Sequence, residues 1–178
     1  AGPGTTGGNP MVEAVYGKGT PTLTIGEESY ELKEGQELEV GNKITTDGAS
    51  AVRILYQDNS QLYVGRNSEI EIGASRGGAP VTTLHQGKTR AIVSKSKQED
   101  ETVDSKPAPR AKFIIRTKSA VMGVRGTDFV TQTDAEGGGS LVHTLEGEVA
   151  VAKPGDEAGL SSGRGILLGP NQFLQSKL

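Results

Sequence analysis

The sequence predicts an all-β fold: a single domain of many short strands, arranged as a β-sandwich or as an irregular β-roll or solenoid. Three observations carry this expectation. Apolar and polar residues alternate with period two along most of the chain, as in Glu37-Leu38-Glu39-Val40 and Glu69-Ile70-Glu71-Ile72, the pattern of a strand with one buried face. Glycine supplies 26 of the 178 residues, and the alternating runs end at Gly, Asn or Asp, which suit tight turns. No window sustains an apolar stripe at helical spacing, so little helix is expected.

The elements follow in order. Residues 1–11 are Gly-, Pro- and Thr-rich and are expected to form a flexible leader or a boundary; the β domain occupies 12–178. Strands are expected at 12–16, 22–25, 37–40, 51–56, 61–64 and 69–72. Asp47-Gly48 and Asp58-Asn59-Ser60 are turn signals, because Asp and Asn accept the left-handed backbone and bond to it. Residues 94–110, SKSKQEDETVDSKPAPR, hold four bases and four acids with almost nothing apolar. They bury too little to offset the entropy of ordering, which predicts a mobile insertion between strands at 89–93 and 113–116. Further strands are expected at 129–133, 141–145, 149–151 and 166–168, with a flexible tip at Gly137-Gly138-Gly139. Tight turns are expected at Glu146-Gly147 and Gly169-Pro170-Asn171-Gln172.

Composition removes several function classes. The chain has no Cys, which excludes a disulfide framework, a thiolate metal site and a thiol nucleophile. The net charge is -3 with both signs interspersed, so the basic footprint of a nucleic-acid binder is missing. No apolar run approaches the roughly 20 residues of a membrane span. Neither a phosphate-loop glycine pattern nor a G-x-S-x-G nucleophile is present. Glu27-Glu28 and the pair Glu69 and Glu71 suit solvent faces rather than an acid–base pair. His85 and His143 lie in separate strand patterns without further ligands at metal-binding spacing. No catalytic residue, metal or cofactor is expected, and the chain is not expected to be an enzyme.

The most informative stretch is Thr117 to Phe129, TKSAVMGVRGTDF. It resembles the signature of FecR-like periplasmic domains. The likeness extends in order through Leu38, Gly41, Ile44 to Thr46, Ser50, Val52, Asp58 to Ser60, Leu62, Ser68, Ile70 and Ile72. It continues through Leu84, Gly87, Phe113, Ile115, Thr117, Ala120, Gly123 to Thr127, Phe129, Leu145 to Val149 and Gly169. Lys118 stands where the family often has Pro, and Asn59 where it often has Gly. The resemblance implies a periplasmic or exported module of the bacterial envelope. In the regulators of that family it implies signal relay from an outer-membrane, TonB-dependent transporter toward a sigma factor. Anti-sigma members carry a cytoplasmic helical segment and a membrane helix, and neither occurs in this sequence. The partner expected is an envelope protein, such as a transporter's signalling domain; the alternative is a cell-wall or polysaccharide-associated module that contacts glycan.

Three residues are candidates for partner contact. Arg125 and Asp128 flank Gly126-Thr127 and would present a charge pair from a recognition loop. The competing reading is a structural turn. In it, Gly123, Gly126 and Thr127 shape the path, Arg125 pairs with Asp128 or with backbone carbonyls beneath the sheet, and Phe129 plugs the core. Tyr63 alternates against Leu62 and Val64 and is expected to face away from the core. There it would pack across strands, stack on a sugar or anchor a peptide.

Overall fold

A computed structural model describes residues 9–94, 111–134, 139–156, 160 and 165–176. The expected insertion, apart from Ser94, and most of the 137–139 tip lie outside the described residues. Among the described residues thirteen strands join in one hydrogen-bonded sheet, confirming an all-β fold. They are β1 (Met11–Gly17), β2 (Thr22–Ile25), β3 (Glu28–Glu31), β4 (Lys43–Thr45), β5 (Ser50–Leu55), β6 (Gln61–Val64) and β7 (Glu69–Arg76). There follow β8 (Ala79–Ile92), β9 (Phe113–Arg116), β10 (Val121–Thr133), β11 (Ser140–Ala152), β12 (Ile166–Leu168) and β13 (Phe173–Ser176).

Three strands depart from the expectation of short elements. β8, β10 and β11 run for 14, 13 and 13 residues, and each bends once at a glycine with positive φ: Gly87 (98°), Gly126 (54°) and Gly147 (83°). Glu146-Gly147 is therefore not a turn between two strands. It is a corner inside one, and the β10–β11 register shifts opposite it, between Arg125 and Asp128.

These corners sort the strands into two layers. The first layer runs β3-β2-β4-β7, then residues 79–86 of β8, β9, 121–125 of β10, 148–152 of β11, and β12. The second runs β1-β5-β6, then 87–92 of β8, 128–133 of β10, 140–146 of β11, and β13. β8 crosses between layers at one end of the molecule, here the near end, and β10 and β11 cross at the far end. Their first-layer halves consequently run in opposite directions with β9 between them. That geometry makes β9 parallel to β8 and antiparallel to β10.

The inward residues of both layers meet in one core containing Leu23, Ile44, Ile54, Leu62, Ile70, Leu84, Phe113 and Phe129. Burying each of the larger side chains contributes on the order of 1.5–3 kcal/mol. Tyr56 ties the layers together from the β5–β6 hairpin. Its ring meets Phe113 edge-on, with centroids 4.8 Å apart, and its hydroxyl lies 2.9 Å from Thr82 Oγ1. Full burial pushes the Tyr56 phenol well above its ordinary pKa. A smaller cluster of Ala79, Val81, Ile114 and Val121 lies on the outer side of the first layer, covered by Ala111 and Leu160. Gly123 belongs to this covering rather than to a turn: a Cβ there would stand 2.9 Å from Ala111 Cβ and 3.0 Å from Leu160 Cδ1.

Residues 37–40 do not form the expected strand. Leu38 is fully buried, but its segment only crosses the end of β1, through Leu38 N–H to the Pro10 carbonyl at 2.8 Å and a lone Met11–Glu37 bridge. β3, β4, β13 and the 79–86 half of β8 escaped the sequence reading. Every residue of β3 is exposed, so no alternation marks it.

The near end is a stack of four crossings: 17–21, 46–49, 65–68 and Gly87. Neighbours are hydrogen-bonded in order. The Asp47 carboxylate accepts Thr20 N–H (3.0 Å) and Ala49 N–H (2.9 Å), and Asn67 N–H reaches the Asp47 carbonyl (3.0 Å). Thr46 Oγ1 donates to the Gly65 carbonyl (2.5 Å). Ser68 Oγ accepts Lys88 N–H (3.0 Å), beside a Gly87 whose Cβ, if present, would fall 2.1 Å from that same oxygen.

Two predictions follow from this end. Gly87→Ala should destabilise the domain by at least ~2 kcal/mol, from backbone strain plus the Ser68 clash. Gly77→Ala, at a positive φ facing open space, should lose only ~1 kcal/mol. Equal losses in chemical denaturation would refute the packing argument. The second concerns acid. Ala49 N–H, then the Ser50 hydroxyl and Thr20 N–H, hold the Asp47 carboxyl below its ordinary pKa. Its contribution is thus complete above the unfolded value of ~4 and is lost as pH falls below that. The denaturation midpoint of the wild type should drop more steeply between about pH 4 and pH 2 than that of Asp47→Ala; parallel slopes would remove Asp47 from the acid response.

Candidate functional site

The outward face of the second layer gathers the chemistry. Strand alternation places Arg53 (β5), Tyr63 (β6), Arg90 (β8), Val130 (β10), His143 (β11) and Phe173 (β13) on that face. The register aligns them in one row: Arg53 opposite Tyr63, Tyr63 opposite Arg90, Arg90 opposite Val130, Val130 opposite His143, and His143 opposite Phe173. Tyr63 faces away from the core as its alternation with Leu62 and Val64 predicted.

Both guanidinium groups in the row are held in place. Arg53 Nη2 lies 3.2 Å from Glu13 Oε1, and its Cζ sits 5.9 Å from the centre of the Tyr63 ring, within cation–π range. Arg90 grips Asp128 as a fork, with Nε donating to Oδ1 at 2.9 Å and Nη2 to Oδ2 at 2.7 Å. Asp128 is therefore partnered by Arg90 on the outer face. At the end of the row the His143 and Phe173 rings stack, with centroids 4.0 Å apart and planes 18° apart.

Arg125, Gly126 and Thr127 form the far-end corner of β10 rather than a projecting loop. The Thr127 hydroxyl lies 2.8 Å from the Arg125 carbonyl and 2.9 Å from that of Glu148, donating across the corner. Thr127 N–H and C=O pair with Val93. Arg125 is half-buried opposite Glu148. A Cβ on Gly147 would stand 2.8 Å from the Gly126 carbonyl, so the corner of β11 closes on that of β10 because Gly147 has no side chain. Phe129 then enters the core, 1% exposed.

His85 Nε2 lies 3.1 Å from Glu71 Oε1 on the β7–β8 surface, and Glu69 lies one step away on the same face of β7. Among the described residues no group of three or more His, Asp or Glu is placed to hold a metal ion. No helix among them is long and apolar enough to cross a membrane. The sequence reading missed Arg53, Arg90, Glu13, His143 and Phe173 as parts of one surface. The available signal was a charged residue at an outward position between buried ones, in Val52-Arg53-Ile54 and Thr89-Arg90-Ala91.

The fold and its corners can now be set beside known proteins. A family model described as FecR protein matches residues 42–150. The chain belongs to the FecR family. The matched span takes in three of the four near-end crossings and the far-end corners of β10 and β11; the crossing at 17–21 precedes it. Curated proteins give no match to the FecR chain. Two crystal structures, at 2.50 and 1.65 Å, of a protein from Parabacteroides distasonis provisionally named an anti-sigma factor share its fold, each with a TM-score of 0.52 at 16% identity. The likeness covers 76% of this chain and 59% of theirs.

The corner and the surface pair should respond differently to mutation. Thr127→Val strands two carbonyls at the corner and should destabilise the FecR domain by ~1–2 kcal/mol. Asp128→Ala should destabilise by no more than ~1 kcal/mol, because Arg90 is about half exposed and solvent screens the pair. The reverse order in denaturant titrations would mean that the surface pair, not the corner, stabilises this end.

Proposed function

We propose that this FecR domain is a non-catalytic, exported module that works by protein–protein contact in envelope signalling. The observation that supports the reading most is the outer face of the second layer. Tyr63 stands between two arginines, one fixed by Glu13 and the other by Asp128. Tyr and Arg are the side chains that anchor protein interfaces, and groups already held in place lose little rotamer entropy on binding. Met11, Tyr16, Ile92, Leu141 and Phe173 add exposed apolar area around the row. Tyr63 and the Arg90–Asp128 pair, with Arg125 at the adjoining corner, are the contact positions we assign.

Family membership supports a regulatory role at the envelope. The partner that fits is an envelope protein, with a transporter's periplasmic signalling domain as the first candidate, and the relay would run toward a sigma factor. A second reading, contact with cell-wall glycan, draws on the Tyr63 ring and the Phe173–His143 stack, since aromatic faces also receive sugars.

The test is cross-linking of the immobilised chain in a native envelope extract, followed by mass spectrometry. Recovery of a transporter signalling domain or an anti-sigma partner is expected, with at least tenfold less recovered on Tyr63→Ala. Wall glycan alone, or no such protein, would sink the protein-contact reading and favour the glycan one.

A further inference from the structure

β12 and β13 lie end to end along one side of β11. β12 pairs with residues 149–151 and β13 with 140–143. The segment 166–176 thus forms the outer edge of both layers, turning from one to the other at Gly169–Gln172 beside the corner of β11. Its sequence, ILLGPNQFLQS, contains no charged residue. Ile166, Leu167 and Phe173 are 54%, 64% and 60% exposed. Among the described residues, β12 and β13 pair only with β11.

The other two edges are protected. β3 carries Glu28 and Glu31 and is flanked by Glu27, Lys33 and Glu34. At β1, residues 35–38 cover the Pro10–Val12 end, through Val12 N–H to the Gln36 carbonyl, Gly35 N–H to the Val12 carbonyl and Leu38 N–H to the Pro10 carbonyl, and the Glu34 carboxylate takes Val15 N–H further along. Charge and covering are the devices by which proteins blunt strand edges. Among the described residues no strand covers the 166–176 edge, and the segment itself carries no charge.

That edge is also fixed. Ser176 Oγ lies 2.9 Å from Ser119 Oγ, which donates to Ser140 Oγ at 2.7 Å, and Ser140 Oγ lies 2.7 Å from Thr117 Oγ1. Thr144 N–H bonds to the Gln172 carbonyl, Asn171 N–H to the Thr144 carbonyl, and Gly169 N–H to Gln172 Oε1. A row of backbone donors and acceptors held in strand geometry is a template for one more strand.

We propose that 166–176 is a docking edge at which an extended segment of the protein partner adds as a further strand. The inference rests on the protein-contact reading above. The occupant is a flexible peptide because the edge turns between layers: a straight, rigid strand meets only one half, whereas an extended chain follows both. Its chemistry is uncharged, with apolar side chains on both faces where it passes Ile166 and Leu167 and on the outer face where it passes Phe173.

The experiment places a photo-cross-linking benzoylphenylalanine at position 167 of the whole chain, irradiates it in native envelope extract, and maps the linked residues by mass spectrometry. A synthetic peptide of the mapped segment is then titrated onto the wild type, the Ile166→Lys/Leu167→Lys double variant, which leaves the outer-face row intact, and a Tyr30→Lys control on the β3 edge. The linked residues should fall in one extended, uncharged segment. Its peptide should bind wild type and control alike, bind the double variant at least tenfold more weakly, and slow amide exchange within 166–176. The substituted side chains are exposed, and an unchanged thermal midpoint establishes that the variant folds. If the partner is captured but links to a folded surface, or its peptide binds all three proteins equally, the edge inference is overturned while the contact reading stands. A link to a second copy of the chain overturns the choice of occupant. If the wild type captures no envelope protein by any cross-linker, both fall.

Discussion

The two-layer fold depends on one constraint: wherever the chain passes between layers, its turn backbone must be hydrogen-bonded within a narrow space. At the near end four such crossings stack. Each is short because its neighbour supplies the missing partner, as when Asp47 takes the amides of Thr20 and Ala49 and Ser68 takes that of Lys88. The side chains able to do this are small and polar, and larger ones would separate the crossings. Gly87 shows the limit, for its neighbour leaves no room for even one added carbon. The strands on either side inherit their register from these contacts, and the alternation of each strand then fixes which side chains reach the core.

The far end solves the same problem with different residues. Gly126 and Gly147 nest, and the Thr127 hydroxyl reaches the Glu148 carbonyl across the gap. Since β8 turns at the near end and β10 at the far end, the two strands pair directly in the second layer and leave a strand-wide gap in the first. β9 fills that gap, placing Phe113 and Ile115 in the core. The one parallel pairing in the sheet is therefore a consequence of where the corners fall, rather than of any preference of the β9 sequence.

How much of this was legible in the sequence follows the same physics. Strands with one buried face, such as Ala51-Val52-Arg53-Ile54 and Gln61-Leu62-Tyr63-Val64, announced themselves by alternation. β3 has no buried face and gave no signal, and Leu38 alternated like a strand residue although it only plugs the core from a crossing. Gly147 looked like a turn because a positive-φ glycine serves a hairpin and a bent strand equally well; only the pairing partner distinguishes them. Of the candidate site, the outward direction of Tyr63 was local information and was legible. The bond between Asp128 and Arg90 joins residues 38 positions apart, and depends on a register that no local pattern encodes.

The division between scaffold and surface bears on what FecR membership means. The positions that carry the family likeness are overwhelmingly buried or at corners: Ile44, Thr46, Val52, Leu62, Ser68, Ile70, Leu84, Phe113, Ile115, Thr117 and Phe129 are buried, and Gly87, Gly126, Thr127 and Gly147 build crossings. Arg53, Tyr63, Arg90 and Phe173, along with the Ile166–Leu167 edge, fall outside that pattern. A family pattern composed of packing and corner residues specifies how the chain folds and leaves open what it touches. On the outward faces and edges a side chain can change without disturbing a crossing. The same scaffold can therefore carry different surfaces, because the residues that its family pattern leaves free are the ones that no crossing or core contact constrains.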